Sequence, residues 1–196
     1  MALFLVSAST KGESAMTSSN LIRWGGLVTM VSGALYSLQS LRIWPSHRHD
    51  VFFLFLVLGA MAAIAAIIAL AIQEGGHWKL PWMVGASLVA FVGVALILVY
   101  ALAWLADQDT LPVVGTLLFV GLLVSTLGLL VLGVVAIRFG VLPWWGGAAL
   151  IVGSPLLALL LRLLLLRFPV DPTGVVWAVV GYAIFRRARR RPERPS

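Results

Sequence analysis

The sequence predicts an all-α fold, a polytopic transmembrane helical bundle with six transmembrane helices. The chain of 196 residues is 61% hydrophobic and 11% charged, whereas a soluble domain carries roughly 25% charged residues. Its apolar residues form several runs of about 20, which is the length that a helix needs to cross a hydrocarbon layer roughly 30 Å thick. Basic residues and tryptophans stand at the ends of these runs, where a helix meets the membrane surface.

The first part of the chain predicts a leader and two spans. Residues 1–20 open with a short apolar stretch that has no basic flank, so we expect a disordered leader rather than a signal peptide. Residues 21–44 form the first predicted span, with an arginine and a tryptophan near each edge. A proline and a short polar loop follow, and residues 51–72 form a second span that contains no charged residue.

The middle of the chain predicts two more long spans. Residues 81–105 form the third, which begins with Pro81, a residue suited to the first turn of a helix because its missing N–H is not needed there. A short acidic loop separates this span from the fourth predicted span, residues 111–137, which again contains no charge.

The last part of the chain is less regular. Residues 142–161 form the fifth predicted span, with Pro155 near its middle, where we expect a kink. Residues 168–185 form a sixth span that is just long enough to cross the membrane. Residues 186–196 form a basic tail, which we expect to lie in the cytoplasm.

The basic residues predict the orientation. With six spans, ten lysines and arginines fall on the side of both termini and four on the other side, and the more basic side is the cytoplasmic one. We therefore expect a multi-pass protein of the bacterial cytoplasmic (inner) membrane with both termini in the cytoplasm. Five tail residues are expected to contact anionic lipid headgroups, and these are Arg186, Arg187, Arg189, Arg190 and Arg191.

Two stretches of the sequence echo each other. "LPWMVGASL" at 80–88 and "LPWWGGAAL" at 142–150 are identical at six of nine positions. Two explanations stay open at this point. Duplication of a two-helix hairpin would produce such a repeat, and so would convergence, because interfacial tryptophan and small residues suit any membrane helix.

Small residues recur at helical spacing in two spans. In the first span they are Gly26, Thr29, Gly33, Ser37 and Ser40, and in the fourth they are Gly121, Ser125 and Gly128. Such faces allow helices to approach closely and to form hydrogen bonds through hydroxyl groups. The alternative is that they line a narrow path for a solute.

Few residues suggest chemistry. The chain has no cysteine, and the only metal-like spacing is "HRHD", where His47, His49 and Asp50 offer two imidazoles and a carboxylate on one loop. Histidines and acidic residues all fall outside the predicted spans, which argues against intramembrane haem and carboxylate-driven proton coupling. We therefore predict no metal, no cofactor and no enzymatic activity. Nucleic acid is not an expected partner, because no soluble domain presents the basic residues.

Three short stretches carry a resemblance, namely "LIRWGGL" near the start, "RFGVLPWWGG" before the fifth span and "WAVVGYAIFRRARRR" at the end. Together they resemble a group of small, uncharacterised, six-helix integral membrane proteins of bacteria. The resemblance implies six helices and a basic cytoplasmic tail, and it implies no activity.

The predicted loops leave no room for an active site outside the membrane. We therefore expect a non-catalytic accessory or interaction subunit, whose partner is another membrane protein or a second copy of the chain. The alternative is a small channel or carrier for a neutral or lipid-like solute. A hydrated cavity would favour transport, whereas a solid bundle with an exposed small-residue face would favour interaction.

Overall fold

A computed structural model of the chain describes residues 2–39, 49–74, 79–105, 112–164 and 172–189. Within these ranges every regular element is a helix and there is no strand, so the predicted all-helical class is confirmed there. The seven helices are α1 (Ala2–Gln39), α2 (His49–Gln73), α3 (Leu80–Leu105), α4 (Pro112–Arg138), α5 (Trp144–Val152), α6 (Pro155–Leu164) and α7 (Pro172–Arg189).

Four helical segments are long and apolar enough to cross a membrane, judged by length and composition. They are Ser19–Gln39, Val51–Gln73, Leu80–Ala103 and Gly115–Arg138. Each coincides with one of the first four apolar runs of the sequence. Lipid can satisfy no backbone group, and a continuous helix of this length satisfies almost all of its own.

The predicted fifth span is not one kinked helix. The chain between 142 and 161 forms α5, of 9 residues, and the beginning of α6, of 10 residues, with Gly153 and Ser154 between them. At 1.5 Å per residue the two helices are about 14 and 15 Å long, which is half of the hydrocarbon thickness each.

The predicted sixth span also has different limits. Helix α7 begins at Pro172 and continues to Arg189, so Arg186, Arg187 and Arg189 lie in its last turn rather than in a separate tail. The whole helix has 18 residues, and its apolar part is shorter than that of α2, α3 or α4.

The N-terminal segment differs from the expected disordered leader, because α1 begins at Ala2. Residues 2–20 contain a single glycine and no proline, so nothing in them stops a helix that continues into the apolar segment. The absence of a signal peptide does not imply disorder, because a segment that is too short or too polar to enter the membrane can still form a helix.

The helices form a ring. Helix α1 packs most extensively on α7 and on α2, α3 packs on α4 and α2, and α5 joins α4 to α7. Fully buried side chains fill the interior, and these include Ile64, Leu70, Leu132, Leu150 and Ile184. Many large apolar side chains point outward, as expected where the surroundings are lipid.

One end of the ring, which we call the basic end, carries Lys79, Arg138 and Arg187. A Nη2 atom of Arg187 lies 3.0 Å from Oε1 of Glu74 and 2.8 Å from the carbonyl oxygen of Gly140. Gly140 has a φ of 70°, and its N–H donates to Ile137 while that of Val141 donates to Ala136. This is the Schellman arrangement that ends a helix, and it turns the chain from α4 into α5.

Candidate ligand cavity

The interruption between α5 and α6 has a simple covalent cause. Pro155 has no N–H, so the carbonyl of Ile151 accepts instead from the N–H of Ser154, at 3.2 Å. The N–H of Gly153 donates to Ala149 at 2.7 Å and closes the last turn of α5. The carbonyl of Ser154 then accepts the first bond of α6, from Ala158 at 2.8 Å.

A hydroxyl group from α4 supports the interruption. The N–H of Leu156 in the first turn of α6 donates to Oγ1 of Thr126, at 3.2 Å. Thr126 lies midway along the apolar segment of α4, so the interruption lies near the middle of the bundle. A donor freed by a broken helix needs such a partner, because the surrounding hydrocarbon offers none.

A cavity of about 220 Å³ lies beside this interruption, and it is partly open. Five helices, α2, α3, α4, α6 and α7, supply most of its lining, and Tyr36 of α1 completes it. The apolar lining includes Phe53, Ala60, Val94, Ile97, Leu156 and Ala158. The cavity therefore occupies the half of the bundle away from the basic end, and its walls are mostly aliphatic and aromatic.

The few polar groups of the lining come from Tyr36, Thr173 and Trp177. Trp177 is 4% exposed and its indole ring faces the interruption, because Gly153 has no side chain to fill the space. A Cβ atom added at Gly153 would lie 3.5 Å from Nε1 of Trp177. The cavity thus has an apolar body and one edge that carries polar groups.

The predicted small-residue face of α1 divides into two faces. A Cβ added at Gly33 would lie 2.5 Å from the backbone N of Ala178 and from the carbonyl oxygen of Gly174. One added at Gly26 would lie 3.0 Å from the carbonyl oxygen of Gly181. These two glycines, together with Ser37, which contacts Gly174, bring α1 against α7.

Thr29 belongs to the other face of α1. Its Oγ1 lies 2.7 Å from the carbonyl oxygen of Gly25 and 2.9 Å from that of Gly59 in α2. The hydroxyl has one proton to donate to these two acceptors. Ser40, the fifth residue of the predicted face, lies outside the described residues.

The predicted face of α4 lies against α3. A Cβ added at Gly128 would lie 2.5 Å from Cα of Ala90, and one added at Gly121 would lie 3.1 Å from the carbonyl oxygen of Gly93. Ser125 is buried opposite Gly93 and its hydroxyl donates to Leu122 of its own helix, at 3.2 Å. None of these three residues lines the cavity.

The predicted metal-like triplet lies partly outside the described residues. His47 lies outside the described residues, and His49 and Asp50 are the first two residues of α2. Among the residues that the structure describes, no three histidine, cysteine or acidic side chains are grouped so that they could hold a metal ion.

The arginines of the predicted membrane-surface site are used in different ways. Arg186 is exposed, and Arg189 lies over the ring of Phe185 with 4.6 Å between Cζ and the ring centroid. Arg187 is the side chain that links Glu74 to Gly140, so it joins three helix ends. Arg190 and Arg191 lie outside the described residues.

Sequence reasoning missed the cavity and the contact between Arg187 and Glu74. The signal for the cavity was "GSP" at 153–155, which predicts a break rather than a kink when glycine precedes the proline so closely. No local signal predicted the ion pair, because its partners are far apart in the sequence.

Models of protein families, curated proteins and solved structures were compared with the chain, and none matches it. The resemblance to six-helix bacterial membrane proteins therefore stays a hypothesis.

Proposed function

We propose that this chain is a non-catalytic multi-pass membrane protein that binds a neutral, lipid-like solute in the cavity beside α6. The observation that carries the proposal is the cavity itself, about 220 Å³ with mostly apolar walls. Engineered apolar cavities of about 150 Å³ stay dry and bind benzene. A larger, partly open cavity with mostly apolar walls, surrounded by lipid, favours an apolar occupant over a water-soluble one.

The chemistry of the lining supports binding without catalysis. Among the described lining residues there is no carboxylate, imidazole or amine. A charged solute would lose its hydration on entry and find no partner of opposite charge, which is costly in a medium of low dielectric constant. A neutral solute avoids that cost.

The leading expectation from the sequence was an accessory or interaction subunit, which an exposed small-residue face would have favoured, and solute transport was the alternative. The faces that contain Gly33 and Gly128 lie against α7 and α3 of the same chain. The solute-binding proposal therefore comes first. Association with another membrane protein, or with a second copy of the chain, stays a prediction that copurification in mild detergent would test.

The proposal includes a location and a topology. We infer a bacterial inner-membrane protein in which α5 and α6 together, and α7, complete six crossings, with the basic end and both termini in the cytoplasm. The exposed Arg186 and Arg189 would then face anionic lipid headgroups. The chain contains no cysteine, so an impermeant thiol reagent should label Ser46→Cys from outside whole cells and leave Lys79→Cys unlabelled. Labelling of Lys79→Cys alone would show that the true topology is the reverse of the one inferred here.

A cavity-filling substitution tests solute binding. Ala60 lines the cavity and is 5% exposed, so Ala60→Phe should occupy part of the space. Molecules that copurify with the protein, extracted and quantified by mass spectrometry, should fall severalfold in this variant. Ala65→Phe is the matched control, because Ala65 lies on the outer face of the same helix.

Two outcomes separate the interpretations. Loss of bound molecules in Ala60→Phe but not in Ala65→Phe, with both variants monodisperse in detergent, supports binding in the cavity. Equal retention in both variants means that the molecules coat the outer surface, and the proposal is then wrong.

A further inference from the structure

We propose that the solute carries a neutral oxygen acceptor, a carbonyl or hydroxyl group on an apolar chain, and that this oxygen binds the indole N–H of Trp177. The inference rests on the proposed function and names the chemistry of its solute. It starts from the one edge of the cavity that is not apolar.

The position of Trp177 gives its N–H an unusual setting. The residue belongs to α7, is 4% exposed and lines the cavity. Its Nε1 atom points to the space left by Gly153, where an added Cβ would lie 3.5 Å away. The interruption between α5 and α6 therefore leaves the indole N–H of Trp177 uncovered, whereas a larger side chain at position 153 would have covered it.

No hydrogen bond joins this N–H to a residue of the described ranges, and Nε1 is not among their fully enclosed unpaired atoms, so it is open to the cavity that Trp177 lines. A buried tryptophan N–H usually has a partner, because leaving it unpaired in an apolar medium is costly. The hydroxyl of Ser154, next in the chain to Gly153, is also fully buried and has no partner within the described residues. Ser154 is not among the residues that line the cavity, so of these two groups the indole N–H of Trp177 is the one offered to an occupant.

The described lining contains no charged side chain, and this determines which kind of acceptor it can hold. A carboxylate or phosphate would need a cation, and the described lining has none. A carbonyl or hydroxyl oxygen needs only the donor that Trp177 offers, and its apolar chain would fill the aliphatic part of the cavity. A water molecule bonded to Trp177 is the competing occupant, since such waters satisfy buried polar groups.

The experiment uses the full chain in lipid nanodiscs, with the indole nitrogens labelled for NMR and the Trp177 signal assigned through Trp177→Phe. The probes are 2-octanone and n-nonane, which have equal numbers of non-hydrogen atoms. The ketone should move the Trp177 N–H signal downfield and bind about 3- to 10-fold more tightly than the alkane, as one neutral hydrogen bond implies. Methyl signals of Ile97 and Ala158, which line the cavity, report occupancy by either probe.

The variant and the outcomes keep the two proposals distinguishable. In Trp177→Phe the preference for the ketone should vanish while the alkane still shifts the methyl signals of Ile97 and Ala158. If wild type binds both probes equally and the Trp177 signal does not move, the inference is overturned and solute binding stands. If neither probe affects the two methyl signals, solute binding itself is wrong.

Discussion

Helices α3 and α5 follow from two stretches, 80–88 and 142–150, that are identical at six of nine positions, yet the helices then behave differently. Helix α3 continues for 26 residues, whereas α5 ends after 9. The two echoing stretches lie 62 residues apart. At the same distance, Gly93 of α3 corresponds to Pro155, the first residue of α6. The two helices also start two residues out of step, because α3 begins at Leu80, before Pro81, whereas α5 begins at Trp144, just after Pro143.

The comparison separates two uses of a residue that weakens a helix. Gly93 keeps the hydrogen-bonding pattern of α3 and lets α4 approach until the backbones touch. Pro155 removes a donor, ends the pattern and leaves space beside it. Similar first residues therefore do not determine how a membrane helix continues. If a hairpin was duplicated, the two copies have stayed more similar at the starts of their helices than in the residues that follow.

The largest effect is expected where the continuous pair is most closely packed. A Cβ at Gly93 would lie 2.5 Å from Cα of Ser125 and 2.7 Å from its Cβ, so Gly93→Leu must push α3 and α4 apart. We expect destabilisation at or above the upper end of the roughly 1–3 kcal/mol typical of overpacked cores, measured by unfolding in detergent. The control is Gly85→Leu in the same helix, where an added Cβ meets nothing within 4 Å. Equal effects would show that α3 and α4 do not touch at Gly93.

A smaller loss is expected at the interruption. Thr126→Val keeps the shape of the side chain and removes the acceptor of the Leu156 N–H. The cost should be about 1 kcal/mol, because one buried donor is left unpaired, and hydrogen exchange at Leu156 should become faster. Ser125→Ala is the neighbouring control, since that hydroxyl donates only within its own helix. Unchanged exchange in Thr126→Val would mean that another acceptor holds α6.

The smallest change in stability is expected from Pro155→Ala, although it tests the comparison most directly. The substitution restores an N–H at position 155, which can donate a hydrogen bond to the carbonyl of Ile151. Helices α5 and α6 should therefore become more continuous. Stability should change by no more than about 1 kcal/mol, and the new amide at position 155 should be protected from hydrogen exchange. Rapid exchange there would show that Gly153, rather than the proline, keeps the helices apart.

The regular half of the fold could be predicted from the sequence. Helices α2, α3 and α4 follow uncharged runs whose length alone demands a helix in lipid, and their ends fall within two residues of the predicted limits. These predictions succeeded because each depends on a local pattern.

The candidate site could not be predicted in the same way. The spacing of Gly26, Thr29 and Gly33 suggested one face, yet Thr29 lies against α2 and the two glycines against α7. Which helix meets which residue depends on neighbours that periodicity does not identify. The cavity depends on α6 not continuing along the axis of α5. The amino-acid composition of the two segments does not predict this change in direction.

The contact between α1 and α7 has a consequence for biosynthesis. Gly33 and Gly174 meet at the backbone, although nearly the whole chain of the bundle separates them in sequence. During translation α1 enters the membrane long before its closest partner is made, so its glycine face must stay against lipid or against the insertion machinery. Ring closure must then wait until α7 has been synthesised and inserted. A ribosome that stops before α7 would leave an open ring in which the glycine surface of α1 has no helix against it.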